Sequence, residues 1–213
     1  MGDTRDYICW GASGHAKVLT DVIQGLSGRV LAYFDRESKP SVVPGVPVFV
    51  GYAGFKAWIE RCREPKAVCG VVAIGHCGPD RVNLLRLFQE HGLNTQAVVD
   101  KHAHVSATSQ LGYGVQVLPF ALVAANCFIG DACIINHRAS IDHECMLREG
   151  VHVAPGAILC GCVSVGVDVF IGAGAIILPR LVIGDRVTIG AGAVVTRDVP
   201  SGVTVVGNPA KII

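Results

Sequence analysis

Between Val99 and Pro200 the sequence repeats every six residues without interruption. The hexads read VDKHAH, VSATSQ, LGYGVQ, VLPFAL, VAANCF, IGDACI, INHRAS, IDHECM, LREGVH, VAPGAI, LCGCVS, VGVDVF, IGAGAI, ILPRLV, IGDRVT, IGAGAV and VTRDVP, and all seventeen begin with Val, Leu or Ile. A period of six matches neither the 3.6-residue turn of an α-helix nor the alternation of a simple strand. It is typical of a solenoid in which each hexad is a short strand followed by a corner.

Three hexads of such a repeat form one triangular coil of 18 residues. The aliphatic first position is predicted to point inward, and the small residues at the fifth position, including Cys145, are predicted to fill tight corners on the inside. Glycine at the second position is expected to relieve backbone strain at the turns. These second-position glycines are Gly130, Gly166, Gly172, Gly184 and Gly190.

The first 98 residues follow a different pattern, in which apolar strands alternate with amphipathic helices. Strands are predicted at Tyr7–Trp10, Val30–Phe34 and Ala67–Ile74, and helices at His15–Gln24, Phe55–Arg63 and Asp80–His91. The segment from Pro40 to Pro47 is predicted to be a loop. Alternating strands and helices favour a small parallel sheet, so we expect an α/β domain at residues 1–98 and a solenoid domain at residues 99–213.

A glycine-rich turn leads from the first predicted strand into the first predicted helix. The exposed amides of such a helix N-terminus favour a phosphate group. Asp35 ends the second strand about twenty residues later, where dinucleotide-binding folds have a ribose-binding acid. The third strand ends at the same sheet edge, so one nucleotide-binding site is predicted there. Its expected contacts are Gly11, Ser13, Gly14, His15, Asp35, Gly75 and His76.

Composition narrows the classes of function. The 213 residues carry a formal net charge of +1, which gives no indication of binding to nucleic acid or a membrane surface. No apolar run approaches the roughly 20 residues of a membrane span, and no signal peptide is recognisable. Nine cysteines, several of them at regular fifth positions, favour a reducing compartment, so a cytoplasmic protein is expected. Cys160 and Cys162 form a lone C-x-C pair, and no metal is expected.

His143 is the leading candidate for chemistry. It lies in the hexad IDHECM between Asp142 and Glu144. A neutral imidazole accepts a proton near pH 7, and a neighbouring carboxylate fixes its tautomer. Gly161 follows 18 residues later and is expected to stack on His143, with a backbone amide suited to a developing oxyanion. From spacing alone, a surface histidine and an ordinary corner glycine remain alternative interpretations.

Three further segments carry a family resemblance. The start GASGHAKV (11–18), the middle NHRASIDHEC (136–145) and the end VVGNPAKII (205–213), together with the hexads, resemble the sialic-acid/PglD-type hexapeptide sugar acyltransferases. The resemblance covers essentially the full chain. It implies a left-handed parallel β-helix that follows a nucleotide-sugar-binding α/β domain, with the chains assembled as a homotrimer.

The resemblance also implies an activity and roles for particular residues. The expected reaction is transfer of an acetyl group from acetyl-CoA to the amine of a nucleotide-linked 4-amino-4,6-dideoxy sugar, such as GDP-perosamine or a UDP-linked sugar. His143 is implied as the general base and Glu144 as its acidic partner, and Asn136 as a residue near the sugar. The residues implied to bind the coenzyme are His152, Ala173 and Ala191. The Gly161 amide is a further candidate, and so is Lys211, whose charge suits a coenzyme A phosphate although a solvated lysine is the alternative. The two alanines are expected to continue the edge of Gly161.

The sequence leaves three alternative functions open. O-acetylation of a sialic acid uses the same scaffold, although the nucleotide-site candidate Asp35 favours a nucleotide-linked acceptor. The γ-type carbonic anhydrases need three converging histidines, and His137, His143 and His152 lack the expected spacing. An NAD-dependent oxidoreductase needs more than the half of a dinucleotide fold that 98 residues hold. For an acyltransferase, a covalent acyl-enzyme route through Cys145 is disfavoured because that side chain is predicted to point inward.

Overall fold

A computed structural model describes residues 4–76 and 78–213. The chain divides into two units, the first formed by Met1–His76 with Asn83–Gln96 and the second by Cys77–Val82 with Ala97–Ile213. Within the described residues, no helix has both the length and the apolar character needed to cross a membrane.

The first unit is built on a parallel sheet with the strand order β3-β2-β1-β4. These strands are β1 Asp6–Trp10, β2 Arg29–Asp35, β3 Val48–Val50 and β4 Val68–Val72. The helices that follow them in the chain are α1 Gly14–Gly25, α2 Gly51–Ile59 and α3 Asp80–Glu90, with a 3₁₀ turn at Pro65–Ala67. The predicted parallel sheet is confirmed. Strand β3 was not predicted, because its three residues directly follow a proline-rich loop.

Glycine is required where β1 ends. Gly11 has a φ of +116°, and a Cβ there would lie 2.5 Å from the carbonyl oxygen of Ala73. The Gly11 amide donates to the Phe34 carbonyl and the Ala73 amide to the Trp10 carbonyl, each at 2.6 Å. The chain segments that leave β1, β2 and β4 therefore lie against one another at the carboxyl edge of the sheet.

The second unit has three faces of short strands. The first face contains β5 Val98–Val99, β8 Gln116–Val117, β11 Ile134–Ile135, β14 His152–Val153, β17 Phe170–Ile171 and β20 Thr188–Ile189, followed by β22 Thr204–Val206 and the antiparallel β23 Lys211–Ile212. The second face contains β6 His104–Val105, β9 Leu122–Val123, β12 Ser140–Ile141, β15 Ile158–Leu159, β18 Ile176–Ile177 and β21 Val194–Val195. The third face contains β7 Gln110–Leu111, β10 Phe128–Ile129, β13 Met146–Leu147, β16 Ser164–Val165 and β19 Val182–Ile183.

Successive strands from β5 to β21 begin six residues apart. Each pairs in parallel with strands of the neighbouring coils, as Ser140 pairs with Ile158 and Ile141 with Leu159. Partners are 18 residues apart, which is the coil length expected from three hexads. The predicted three-sided parallel β-helix is therefore confirmed.

The inward positions form one continuous apolar core along the β-helix. Hexad openers such as Ile141 and Leu159 are fully buried, and so are the fifth-position cysteines Cys133 and Cys145. The thiol of Cys145 donates to the carbonyl of Cys160 on the next coil, with 3.2 Å between sulfur and oxygen. The prediction that these cysteines are small core residues is confirmed.

The second-position glycines have a different purpose from the one predicted. Their φ angles lie outside the left-handed region, and a Cβ at Gly130 would lie 2.7 Å from the carbonyl carbon of Arg148 on the next coil. Positive φ falls instead on the fourth hexad position, as at Glu144 (+59°) and Cys162 (+63°). The expectation of strain relief is wrong: these glycines allow adjacent coils to approach closely, and the fourth position turns the corner.

Candidate active site

His143 lies at the corner between the second and third faces, in the turn from β12 to β13. Its Nδ1 lies 3.0 Å from Glu144 Oε2, and its main-chain amide donates to Asp142 Oδ1 at 2.8 Å. The two side chains are 51% and 60% exposed, so both are open to a ligand. A proton on Nδ1 that is donated to Glu144 leaves Nε2 as the nitrogen able to accept a proton.

Gly161 lies beneath the imidazole, one coil further along. A Cβ at this position would lie 2.5 Å from His143 Nε2 and 2.6 Å from Cε1. The carbonyl before it, that of Cys160, accepts a hydrogen bond from the inward-facing Cys145 thiol. Because C=O and N–H point in opposite directions across a trans peptide, the Gly161 N–H is directed outward. The structure thus brings Gly161 and His143 together, as their spacing of 18 residues predicts.

Cys162 lies beside this pair, a neighbour that the sequence analysis missed. Its Sγ lies 3.8 Å from Glu144 Oε2, and one donor atom each of His143, Glu144 and Cys162 lie within 4.8 Å of one another. The signal was present in the repeat, because Cys162 follows Glu144 by 18 residues and therefore occupies the same corner position one coil on. Cys160, the other member of the C-x-C pair, is not part of this cluster.

Cys145 lies two residues from His143 but on the inside of the coil. It is fully buried, and burial raises the pKa of its thiol to about 12. A neutral thiol whose hydrogen is donated to a main-chain carbonyl is a poor nucleophile. The prediction that Cys145 points inward is confirmed.

His152 and Asn136 form one hydrogen-bonded pair on and beside the first face. Asn136 Nδ2 lies 3.0 Å from His152 Nε2, and Asn136 Oδ1 accepts hydrogen bonds from the main-chain amide and Nδ1 of His137, both at 2.8 Å. Both members of the pair are buried, and Phe170 packs edge-on against His152 with ring centroids 5.3 Å apart. His152 lies on a different face from His143, as their spacing predicts. The amide donor facing Nε2 indicates that His152 carries its proton on Nδ1.

Ala173 and Ala191 lie at the corner between the first and second faces. They stack on each other, with the Gly192 amide donating to the Ala173 carbonyl at 2.9 Å. The expectation that they continue the Gly161 edge is wrong, because the step from Gly161 to Ala173 is two hexads rather than a full coil of three. Both alanines are exposed, and Lys211 is exposed on β23 at the end of the first face.

The predicted nucleotide contacts lie at the carboxyl edge of the sheet in the first unit. Helix α1 begins there, so its first amides point toward this edge, an arrangement that favours an anion. Ser13 is the N-cap residue of α1, and in the described turn its hydroxyl makes no capping hydrogen bond. The residues that the structure brings to the ends of β1, β2 and β4 are Gly11, Ser13, Gly14, His15, Asp35, Gly75 and His76.

The carboxylate of Asp35 forms its hydrogen bonds within the first unit. Its Oδ2 accepts the Ala12 amide at 3.0 Å, and its Oδ1 lies 2.9 Å from Lys39 Nζ and 3.3 Å from the Glu37 amide. Burial raises the pKa of this carboxyl, but the hydrogen bonds from Lys39, Ala12 and Glu37 outweigh burial and hold the pKa below its ordinary value. Asp35 therefore fastens the turn after β1 to the end of β2.

Both halves of the chain match known protein families. Residues 7–79 match the PglD N-terminal domain, and residues 162–197 match the bacterial transferase hexapeptide (six repeats). The acetyltransferase domain of PglB from Neisseria gonorrhoeae FA1090 is 32% identical, with a TM-score of 0.88 over 99% of this chain and 100% of that chain.

Two perosamine N-acetyltransferases are also similar. PerB from Caulobacter crescentus, solved in complex with CoA and GDP-perosamine, is 35% identical with a TM-score of 0.88, over 98% of this chain and 97% of that chain. The GDP-perosamine N-acetyltransferase of Escherichia coli O157:H7 is 36% identical over 126 residues. That alignment spans 57% of this chain and 57% of the relative.

The coiled hexads and the exposed imidazole–carboxylate corner define a left-handed β-helix acyltransferase of the hexapeptide-repeat class. The similarity to the acetyltransferase domain of PglB and to PerB, over 98–99% of this chain, narrows this class further. The chain belongs to the PglD-type hexapeptide sugar N-acetyltransferases, a family of enzymes that use acetyl-CoA as co-substrate.

Proposed function

We propose that this chain transfers the acetyl group of acetyl-CoA to the amine of a nucleotide-linked 4-amino-4,6-dideoxy sugar, GDP-perosamine or a UDP-linked sugar. The observation that carries the proposal is the exposed His143 imidazole, held by Glu144 above Gly161. The crystal complex of PerB with CoA and GDP-perosamine supports this class of acceptor.

In the proposed reaction the sugar amine attacks the thioester carbonyl directly. His143 Nε2 accepts the proton that the amine loses, and Glu144, 3.0 Å from Nδ1, stabilises the imidazolium. As the tetrahedral intermediate collapses, the carbon–sulfur bond breaks and the proton passes to the coenzyme A thiolate. The neutral imidazole is then ready for the next turnover, and no covalent enzyme intermediate forms.

The Gly161 amide stabilises the negative oxygen of the tetrahedral intermediate in this proposal. Its N–H is directed outward because the peptide carbonyl of Cys160 is engaged on the inside. Its lack of a side chain leaves room for the imidazole. One such donor is worth about 100- to 1000-fold in rate.

The coenzyme and the assembly form a further part of the proposal. Ala173 and Ala191 line the pantetheine arm from the corner between the first and second faces, His152 with Asn136 contacts the donor or the sugar, and Lys211 meets a coenzyme A phosphate. A homotrimer brings faces of different chains together, so His152 of one chain approaches the dyad of His143 and Glu144 of the next. Support comes from the third face, where exposed apolar side chains line a groove of about 580 Å³; they include Phe128, Met146 and Val182.

The nucleotide binds the first unit in this proposal. Its diphosphate meets the amides at the start of α1, around Ser13, Gly14 and His15, and the ribose meets Asp35. A carboxylate offers about four lone-pair sites, and Ala12, Lys39 and Glu37 use three, which leaves one for a ribose hydroxyl. A cytoplasmic location belongs to the same proposal, and the eight described cysteines of the chain, all free thiols, support it.

A thiol-release assay tests the proposal with acetyl-CoA and a panel of GDP-, UDP- and dTDP-linked 4-amino sugars, with free sialic acid as the comparison acceptor. We expect acetyl-CoA-dependent release of thiol with at least one nucleotide-linked amino sugar and none with sialic acid. Turnover of sialic acid alone would replace the proposal with a sugar O-acetyltransferase on the same scaffold.

A further inference from the structure

We infer that His143, Glu144 and Cys162 form a binding site for a thiophilic divalent cation, represented by Zn²⁺, and that the bound cation shuts off acetyl transfer. The inhibitory consequence rests on the function proposed above. The binding of the metal itself does not, because it depends only on the three side chains and their geometry.

The spacing of the donor atoms suits a tetrahedral zinc site. Bond lengths of about 2.0–2.3 Å to nitrogen, oxygen and sulfur separate adjacent ligand atoms by about 3.4 Å for nitrogen and oxygen and about 3.6 Å for sulfur and oxygen. The corresponding separations here are 3.0 Å from His143 Nδ1 to Glu144 Oε2 and 3.8 Å from Cys162 Sγ to the same oxygen. The third pair, a His143 ring nitrogen and Cys162 Sγ, lies within 4.8 Å. Rotation of the exposed His143 and Glu144 side chains brings the three donor atoms to tetrahedral separations.

The backbone holds these donors in place before any metal arrives. Glu144 and Cys162 both have the left-handed φ of the fourth hexad position, so they project from equivalent points of adjacent coils. The Cys162 amide donates to the His143 carbonyl at 2.8 Å, which fixes the sulfur-bearing residue directly beside the dyad. The cluster is therefore a product of the coil repeat rather than a chance meeting of mobile side chains.

The donor set selects the type of cation. One imidazole nitrogen, one carboxylate oxygen and one thiolate are typical ligands of Zn²⁺, whereas Mg²⁺ and Ca²⁺ prefer oxygen ligands alone. Binding releases the proton of the Cys162 thiol to solvent, since the thiolate is the ligand. Three protein ligands leave a fourth position for water.

Metal binding removes the base that the proposed reaction needs. When Zn²⁺ replaces the proton on His143 Nδ1, the remaining imidazole proton lies on Nε2, which can no longer accept one from the amine. When Zn²⁺ binds Nε2 instead, the same nitrogen is blocked directly. In both arrangements Glu144 is engaged with the cation and no longer stabilises an imidazolium.

Cobalt titration tests the site without any substrate. Reduced, chelator-treated protein is titrated with Co²⁺, and the sulfur-to-cobalt charge-transfer absorption in the near ultraviolet is recorded before displacement by Zn²⁺. Cys162→Ser removes the sulfur ligand, and Cys160→Ser is the matched control two residues away and outside the cluster. We expect a one-equivalent band in the wild type and in Cys160→Ser, its loss in Cys162→Ser, and Zn²⁺ affinity at least about tenfold weaker in Cys162→Ser.

Turnover then tests the inhibitory consequence. Zn²⁺ is expected to inhibit turnover by the wild type and by Cys160→Ser. Cys162→Ser is expected to have an unchanged melting temperature, to retain turnover in metal-free buffer and to retain it at the same Zn²⁺ concentration. A band in Cys162→Ser equal to that of the wild type, or no band in the wild type, overturns the site. If the wild type acetylates none of the sugars, the proposed function fails, yet the cobalt band still decides the metal site.

Discussion

Replacing Gly161 by alanine tests whether the residue beneath the dyad sets the position of the base. The φ of Gly161 lies outside the left-handed region, so alanine brings no backbone strain. Its methyl carbon instead meets the His143 ring, at 2.5 Å from Nε2 and 2.6 Å from Cε1. Ordinary contact begins at 3.4 Å, so the ring must retreat by about 0.9 Å.

The rate should fall steeply while binding survives. A displacement of about 1 Å in a catalytic group costs about 100-fold in rate, which corresponds to about 2.7 kcal/mol. We therefore expect kcat in the thiol-release assay to fall by about 100-fold, with the calorimetric Kd for coenzyme A changing less than about threefold. The melting temperature should be unchanged, because the half-exposed imidazole moves toward solvent rather than into the core.

A double variant separates positioning from general damage to the corner. In a His143→Asn background no imidazole remains to be displaced, so Gly161→Ala should have little further effect on kcat. A full 100-fold loss caused by Gly161→Ala in both backgrounds would refute the reasoning, and so would unchanged kcat in the single variant.

Three further predictions concern His143, Cys145 and Asp35. His143→Asn should lower kcat by about 10²–10⁴-fold with coenzyme binding retained, and near-normal thiol release would remove His143 as the base. Cys145→Ala should keep kcat within about threefold, because the thiol is buried and its pKa is raised to about 12; lost turnover in a stably folded variant would favour a covalent route. Asp35→Asn should lower the melting temperature at pH 7, because a folded-state pKa below the unfolded value stabilises the protein above the unfolded pKa. That stabilisation is lost as pH falls through the folded pKa, so the gap between the two melting curves should narrow below about pH 4; a gap that widens in acid would contradict it.

The six-residue repeat was sufficient to predict the β-helix, because the coil geometry depends on local corners and one inward aliphatic position. The same period predicted that Gly161 stacks on His143 and that Cys145 faces the core. Both follow from the 18-residue length of one coil, because residues 18 apart occupy the same position on neighbouring coils. A single sequence is enough to count that spacing.

Features that depend on contacts between coils were harder to predict. The role of Gly130 became clear only from the 2.7 Å approach of the Arg148 backbone, which composition does not reveal. The pair of Asn136 and His152 is 16 residues apart, so its hydrogen bond follows from no coil period. Cys162 was not predicted for another reason: along the chain it pairs with Cys160 in a C-x-C motif, whereas its partner Glu144 lies on the neighbouring coil.

The sequence pattern of the first unit predicts its side-chain contacts less well than the hexads predict those of the β-helix. Asp35 was predicted to meet a ribose, yet most of its hydrogen-bonding capacity is taken by Ala12, Lys39 and Glu37. Lys39 and Glu37 lie in the loop after β2, where no periodicity constrains the side chains. Loops of this kind are specified by individual contacts, which a folded structure reveals and a sequence pattern does not.

The chemical identity of the product tests the proposed acetyl transfer. The protein is incubated with GDP-perosamine and acetyl-CoA carrying ¹³C in its acetyl group, and the product is analysed by NMR and mass spectrometry. The proposed function predicts one acetyl group per sugar, joined through an amide to the nitrogen at C4. An acetyl group joined through an ester, or no transfer to any nucleotide-linked amino sugar while free sialic acid is acetylated, would contradict it.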